Sequence, residues 1–223
     1  MQNIHEILKT YWGYDQFRPL QAEIIQSIAS GRDTLALMPT GGGKSLTFQV
    51  PAMAMEGICI VVTPLIALMK DQVENLKKQN VSAAAIFSGM THAEILKTLE
   101  NAVFDAYKFL YVSPERLSTE IFIKKVTQMN VSMIAVDEAH CISQWGYDFR
   151  PSYLRIAEIR SLMPDVPVLA LTATATAEVV DDIQVQLQFK QKNVFRKSFH
   201  RHNLIYVVRN AENKNDQLFK ILK

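Results

Sequence analysis

Leu35-Ala36-Leu37-Met38-Pro39-Thr40-Gly41-Gly42-Gly43-Lys44-Ser45 decides how this chain is read. A short apolar run enters three consecutive glycines, then a lysine and a hydroxyl, and Leu46-Thr47-Phe48-Gln49-Val50 continues as a buried helix. The order is that of a strand, a phosphate loop and a helix start. A triphosphate needs several backbone N–H groups aimed inward together, and only residues without a Cβ let the chain wrap that closely. The helix beginning near Lys44 adds its free N–H groups and the positive end of its dipole. Lys44 supplies a point charge to the β and γ phosphates, and Ser45 an oxygen for Mg²⁺. The usual motif has a glycine where this chain has Met38, so the match rests on Gly43-Lys44-Ser45 with Gly41 and Gly42 ahead of them. A plain glycine turn followed by a surface lysine is the alternative, and the flanking strand and helix argue against it.

A chain of 223 residues can hold one large α/β domain, or one and a half ordinary ones, around a real core. Its 48% hydrophobic and 21% charged residues are an ordinary soluble composition. No apolar run approaches the roughly 18 residues of a membrane span. Residues 1–9 read as an amphipathic helix, with Ile4, Ile7 and Leu8 on one side, and not as a secretory signal. The expectation is a cytoplasmic protein without a membrane partner. Cys59 and Cys141 are read as small buried hydrophobes; two cysteines make neither a zinc site nor, in a reducing compartment, a disulfide. A net charge of +2 does not by itself argue for nucleic acid, so any DNA-binding surface must be local.

Residues 19–30 carry Leu20, Ile24, Ile25 and Ile28 at helical spacing, and Gly31-Arg32-Asp33 ends that helix before the strand. Gln21, ahead of a phosphate loop, can donate to and accept from an adenine edge, although alone it would read as a solvated helix residue. Strands are expected at 58–62, 83–87, 108–112, 133–136 and 168–171. Helices are expected between them, one carrying Leu68, Val73 and Leu76 on its apolar side and others near 91–103, 153–163 and up to 187. That alternation predicts a parallel sheet with helices on both faces and ligands at the carboxyl ends of the strands. Thr63-Pro64 and Ser113-Pro114 stand at two such ends, as anion-binding turns or as plain helix caps. Residues 190–193 read as a polar connector, and Leu204-Ile205-Tyr206-Val207-Val208 as a strand with no sheet left to join.

Met133-Ile134-Ala135-Val136 delivers Asp137-Glu138-Ala139-His140 to a strand end. Two carboxylates there, downstream of a phosphate loop, suit Mg²⁺ chemistry: Asp137 for the metal's water shell and Glu138 to orient or deprotonate the attacking water. A helix cap with an acidic first turn is the plain reading, and His140 alone could be a hydrogen-bonded core residue. Gln144-Trp145-Gly146-Tyr147-Asp148-Phe149-Arg150-Pro151-Ser152-Tyr153 is too irregular for a strand and too rich in breakers for a helix. Its rings could stack on bases while Arg150 meets phosphate, or they could pin the loop to the core. Thr172-Ala173-Thr174-Ala175-Thr176 could relay hydrogen bonds from the acidic site, or form a turn with a capping threonine.

In this order the pieces resemble the first RecA-like domain of a superfamily 2 helicase, and specifically of the RecQ family. The carriers are Phe17-Arg18-Pro19 with Gln21, the tract from Met38 to Ser45, Thr63 to Gln72, Ser113 to Leu117, Asp137 to Arg150 and Leu171 to Thr176. The box Asp137-Glu138-Ala139-His140 is shared with RNA helicases, whereas the aromatic-rich loop behind it resembles RecQ. The family usually carries methionine at the position of Met38.

The resemblance implies an ATP-dependent 3′ to 5′ DNA helicase of recombination and repair, with ATP and Mg²⁺ as cofactors and single-stranded and duplex DNA as partners. Tyr14, Arg18 and Gln21 would hold adenine, within an adenine-reading segment at 1–30. Thr40, Gly41, Gly42, Gly43, Lys44 and Ser45 would hold the phosphates, Ser45 and Asp137 the metal, and Glu138 would activate water. His140, Gln144, Trp145 and Phe149, with Thr63, Ser113, Arg116, Thr172 and Thr174, would couple DNA contact to turnover, and Arg150 would touch the strand. Tyr147 stands where the family commonly has histidine and is left out of that set. Residues 1–198 would be the first motor domain and 199–223 a linker into a second; Phe199 to Leu204 resembles that entry, with His200 and His202 where the family more often shows Asp and Pro. The second motor domain with its arginine finger, the zinc-binding module and the winged helix are not within 223 residues, so near-inactivity of the chain alone is expected. A short protein that only binds nucleotide or nucleic acid is the competing reading, and a stop codon after Lys223 would favour it. A small kinase or GTPase is disfavoured, since nothing between Tyr147 and Thr176 resembles an acceptor lid or a guanine-reading motif.

Overall fold

The computed structural model describes residues 3–198, 204, 205, 207, 208, 210 and 213–222. Seven strands, β1 (Thr34–Leu37), β2 (Ile58–Val62), β3 (Ala83–Ile86), β4 (Phe109–Val112), β5 (Val131–Val136), β6 (Val168–Thr172) and β7 (Val194–Arg196), form one sheet in the order β3-β4-β2-β5-β6-β1-β7. Every pairing is parallel. The helices are α1 (Ile4–Trp12), α2 (Gln21–Ala29), α3 (Lys44–Ala54), α4 (Ile66–Lys78), α5 (His92–Val103), α6 (Glu120–Val126), α7 (Arg155–Leu162), α8 (Ala177–Gln186) and α9 (Lys214–Leu222).

The central strands read as unbroken apolar runs because both their faces are covered. On one face Leu35, Leu37, Ile60, Val62, Leu110, Ile134, Val136 and Val168 pack under α5, α6, α7 and α8. Ala36, Met38, Cys59, Val61, Phe109, Tyr111, Ala135 and Leu169 pack on the other against α2, α3 and α4. Period-two alternation sends neighbouring residues to opposite cores, so neither face needs polar residues. A third cluster of Ile7, Leu8, Ile25 and Val50 fastens α1 onto α2 and α3. Tyr14 and Arg18 are thereby held close to the turn that follows β1.

The chain departs from its sequence reading in four places. α6, seven residues long, and α9 each occupy a stretch in which no element was expected. The polar connector at 190–193 leads straight into the edge strand β7, which lies beside β1 with Leu35 opposite Val194. Asn193 explains this: its Nδ2 donates to Ser27 Oγ at 2.8 Å and to the Asp33 carbonyl at 2.9 Å, stapling the connector to the start of β1. The strand expected at 204–208 is not formed by the residues described there, and Ile205 and Val208 are exposed. Residues 199–203 and Tyr206 lie outside the described residues, and with them most of the expected entry to a second domain.

One buried ion pair closes the sheet at its amino end. Arg160 donates to Asp33 Oδ2 at 2.9 Å, and both side chains are 3% exposed. The Asp33 carboxylate also accepts from the Val168 and Lys190 amides, each at 3.0 Å, so α7, β1, β6 and the connector meet at one side chain. Removing one partner strands a buried charge, at a cost of about 3–5 kcal/mol. Asp33→Ala is expected to lose that much in urea unfolding. Asp15→Ala, which breaks the exposed pair with Lys9, is expected to lose less than about 1 kcal/mol. Equal losses would show that Asp33 does not organise this end of the sheet.

Candidate functional site

Parallel strands send the turns after β1, β2, β4, β5 and β6 to the same edge of the sheet, and the candidate residues gather there. Met38 is fully buried among the residues under α2 and α3, and its amide donates to the Thr172 carbonyl at 3.0 Å as if β1 ran one residue further. Its φ is not positive, so glycine is not needed at that position. The left-handed turns fall instead at Gly41 (φ 75°) and Gly43 (φ 80°). Gly43 caps α3 without a side chain, which leaves the first N–H groups of the helix for a ligand. Gly42 is buried.

The upstream segment holds this loop in shape. Gln21 is not a solvated helix residue but 1% exposed. Its Oε1 accepts from the Arg18 amide at 2.8 Å, and its Nε2 donates to the Gly43 carbonyl at 2.9 Å. A Cβ on Gly43 would sit 2.4 Å from that nitrogen and push the glutamine away, in addition to the strain of its φ of 80°. Arg18 donates to the Gly41 carbonyl at 2.8 Å. A cleft of about 770 Å³ opens above, lined among others by Tyr14, Arg18, Gln21, Thr40, Gly41, Gly43, Lys44, Ser45, Thr63, Asp137 and Glu138. Trp12 and Gln16 line it too; nothing in the sequence flagged them, because only the packing of α1 brings them in.

Two strands away from the loop, β5 delivers the acidic pair. Lys44 Nζ approaches Glu138 Oε1 at 3.9 Å across the cleft. Glu138 has φ 48°, a left-handed conformation that is uncommon for a residue with a side chain, and it makes no side-chain cap. The plain reading as an acidic helix cap is therefore not what forms. Asp137 is fixed from three sides: its amide donates to the Val62 carbonyl, its carbonyl accepts from the Tyr153 hydroxyl, and its Oδ1 accepts from the Glu138 amide at 3.0 Å. Burial pushes the Asp137 carboxyl up to about 6, the Glu138 charge adds to this and Lys44 opposes it. A half-buried carboxylate beside a second one, on a cleft that also holds the Ser45 hydroxyl, is a donor set that fits a hard divalent cation such as Mg²⁺.

Behind the acidic pair lies His140, buried, with Nδ1 3.3 Å from Glu138 Oε2 and 2.9 Å from Thr172 Oγ1. Thr172 Oγ1 in turn accepts from the Thr174 amide at 3.2 Å, so hydrogen bonds run from His140 to this strand end. Thr176 takes the other expected role and caps α8 through the Val179 amide. Burial lowers the His140 pKa from its ordinary value, against the pull of the Glu138 and Asp148 charges.

The aromatic loop divides between its two readings. Tyr153 is fully buried and pins it, whereas Trp145 (78%) and Tyr147 (81%) stand exposed. Gly146 permits the tight path, since a Cβ there would lie 3.0 Å from the His140 carbonyl. Gln144 is exposed, Phe149 half-buried, and Arg150 donates to Asp148 Oδ2 at 3.2 Å. Tyr147, which the family comparison of residues set aside, stacks on the His140 ring at 5.6 Å and hydrogen-bonds Thr174 Oγ1 at 3.1 Å. Its contacts are long-range, so no local signal could have found them. The Thr63 and Ser113 hydroxyls cap no helix; both are buried without a hydrogen-bond partner, as is Arg116 Nε. Thr63 lines the cleft, while Ser113, Arg116 and the aromatic loop lie outside it.

The family model for DEAD/DEAH box helicases matches residues 18–183. The chain is 45% identical over 217 residues to the ATP-dependent DNA helicase RecQ of Bacillus subtilis, covering 96% of this chain and 37% of that protein. It is 43% identical over 220 residues to the ATP-dependent DNA helicase Q-like 4B of Arabidopsis thaliana, covering 96% of this chain and 19% of that one. The chain thus spans little more than a third, or less, of these relatives. The crystal structure of the Pyrococcus furiosus Hef helicase domain superposes with a TM-score of 0.62 at 21% identity over 80% of this chain and 38% of that chain, a likeness of fold alone.

The raised Asp137 pKa carries a cost. A carboxyl that holds its proton more tightly when folded adds stability at acidic pH, and loses it as pH rises from about 4 through about 6. In EDTA at pH 8, Asp137→Asn is expected to stabilise the protein by roughly 2–3 kcal/mol and to flatten its stability between pH 4 and 7. A variant no more stable than the parent at pH 8 would show that Asp137 is not strained by its burial.

Proposed function

Since this chain belongs to the DEAD/DEAH box helicase family, we propose that it is the ATP-hydrolysing first motor domain of a RecQ-type DNA helicase, working in the cytoplasm on single-stranded and duplex DNA. The observation that carries the reading is the approach of Lys44 to Glu138 across a cleft whose floor is the loop from Thr40 to Ser45. The chain's likeness to RecQ proteins supports DNA as the partner and recombination and repair as the setting. Movement in the 3′ to 5′ direction rests on the RecQ resemblance alone.

ATP lies with its phosphates on the N–H groups of the loop and the start of α3, and with its base near Tyr14, Arg18 and Gln21. Ser45 and Asp137 would hold Mg²⁺, which when bound neutralises phosphate charge. Glu138 takes a proton from the attacking water as its oxygen bonds to the γ phosphorus and ADP leaves. Lys44 holds the phosphates by charge. His140 ties Glu138 to Thr172 and Thr174, and Gln144, Trp145, Phe149 and Arg150 carry DNA contact towards it. Thr63, Ser113 and Arg116 offer further donors beside this path, and their unpartnered polar atoms support that assignment.

Among the described residues lining the cleft Arg18 is the only arginine, and it is engaged with the Gly41 carbonyl. We assign residues 1–198 to this motor domain and 199–223 to a linker towards a second one, which would supply an arginine finger worth about 10³–10⁵ in rate. The 223 residues alone are expected to bind Mg-ATP and to hydrolyse it at least about 10³-fold more slowly than a whole RecQ protein. Lys44→Ala should weaken nucleotide binding at least about tenfold, or 1.4 kcal/mol. Fluorescent ATP-analogue titration and steady-state hydrolysis, with and without single-stranded DNA, measure both. Binding indifferent to Lys44→Ala would overturn the site, and fast DNA-stimulated turnover by the chain alone would overturn the need for a second domain.

A further inference from the structure

Behind the acidic pair, His140, Cys141 and Asp148 bring an imidazole nitrogen, a thiol and a carboxylate oxygen within 4.8 Å of one another, and no other such trio converges among the described residues. Cys141 Sγ lies 3.8 Å from His140 Nε2 and 3.6 Å from Asp148 Oδ2. A tetrahedral zinc ion, with Zn–S near 2.3 Å and Zn–N near 2.0–2.1 Å, holds its ligand atoms about 3.5 Å apart, so the two pairs through sulfur need little movement.

The imidazole is already oriented for such a role. Its Nδ1 faces Glu138 Oε2 and Thr172 Oγ1, which places the ring proton on that side and directs the Nε2 lone pair at the thiol. A carboxylate behind a ligating histidine is the arrangement that fixes metal-binding imidazoles. One sulfur, one nitrogen and one oxygen suit a zinc-class ion and not Mg²⁺, which takes oxygen. Asp148 is the accessible member of the trio, with its side chain 44% exposed. Arg150 must leave Asp148, and their partly exposed pairing costs little to break.

We propose that His140, Cys141 and Asp148 form a binding site for a zinc-class divalent ion, separate from the magnesium position at Ser45 and Asp137. On binding, the Cys141 thiol gives its proton to solvent as the metal–sulfur bond forms, and no electron is transferred. Water takes the fourth position.

Cobalt(II) is the probe, titrated into the 223-residue chain with Mg²⁺ in excess. One equivalent is expected to bind with thiolate-to-cobalt charge-transfer absorption and tetrahedral visible bands, and zinc should displace it. Cys141→Ser should abolish the charge-transfer band, Asp148→Asn should weaken binding about tenfold or more, and Cys59→Ser should leave both unchanged. Circular dichroism confirms the fold of each variant, and the partly exposed Asp148 keeps one test free of core disruption. Absence of the band, its survival in Cys141→Ser, or undiminished affinity in Asp148→Asn would overturn the site. These spectra need no ATP turnover, so they fail or succeed independently of the role of Glu138.

Discussion

The whole arrangement depends on one constraint: in an all-parallel sheet every strand ends on the same side. Lys44 and Glu138 belong to separate strand ends, with β6 running between β1 and β5, yet their side chains approach to 3.9 Å. Nothing local could bring them together. The two apolar cores fix the strands, and the strands fix the distance. The turns then supply backbone N–H groups after β1, carboxylates after β5 and a hydroxyl after β2, while α2 and α3 add Gln21, Lys44 and Ser45.

Stability is given up where those turns meet. Asp137 is half-buried beside Glu138 with its carboxyl pushed up to about 6, and Glu138 holds a left-handed backbone. Asp33 and Arg160, at the opposite end of the sheet, form a pair with its lone pairs and protons well used. The amino-terminal edge is thus satisfied, and the carboxyl-terminal edge waits for charge. Such an imbalance is expected where a bound cation and phosphates complete the electrostatics. His140 sits where the strained turn meets the aromatic loop, with Glu138 and Thr172 on one ring nitrogen and Cys141 on the other.

Much of this was legible in the sequence because the signals were local. The apolar run before Gly41-Gly42-Gly43-Lys44-Ser45, the run before Asp137-Glu138 and the helical spacing of Ile24, Ile25 and Ile28 each predict their element without reference to the rest of the chain. What escaped was decided at a distance. β7 forms because Asn193 is stapled to residues around the start of β1, and no periodicity in three residues could announce it. The apolar alternation at 204–208 looked more like a strand and is not one among the residues described. Thr63 and Ser113 resemble helix caps in sequence, yet their hydroxyls are buried without partners. Tyr147 was set aside for differing from a family habit, but its ring lies on His140 and its hydroxyl on Thr174.

The central claim, that the loop after β1 and the acidic pair after β5 form one nucleotide site, is tested most directly by a crystal structure of this chain with Mn²⁺ and a non-hydrolysable ATP analogue. Anomalous scattering would locate the ion. The account predicts an anomalous peak between Ser45 Oγ and the Asp137 carboxylate, phosphates on the N–H groups of residues 40–45 and the base against Tyr14 and Gln21. A nucleotide bound elsewhere, or an ion that touches neither Ser45 nor Asp137, would contradict it.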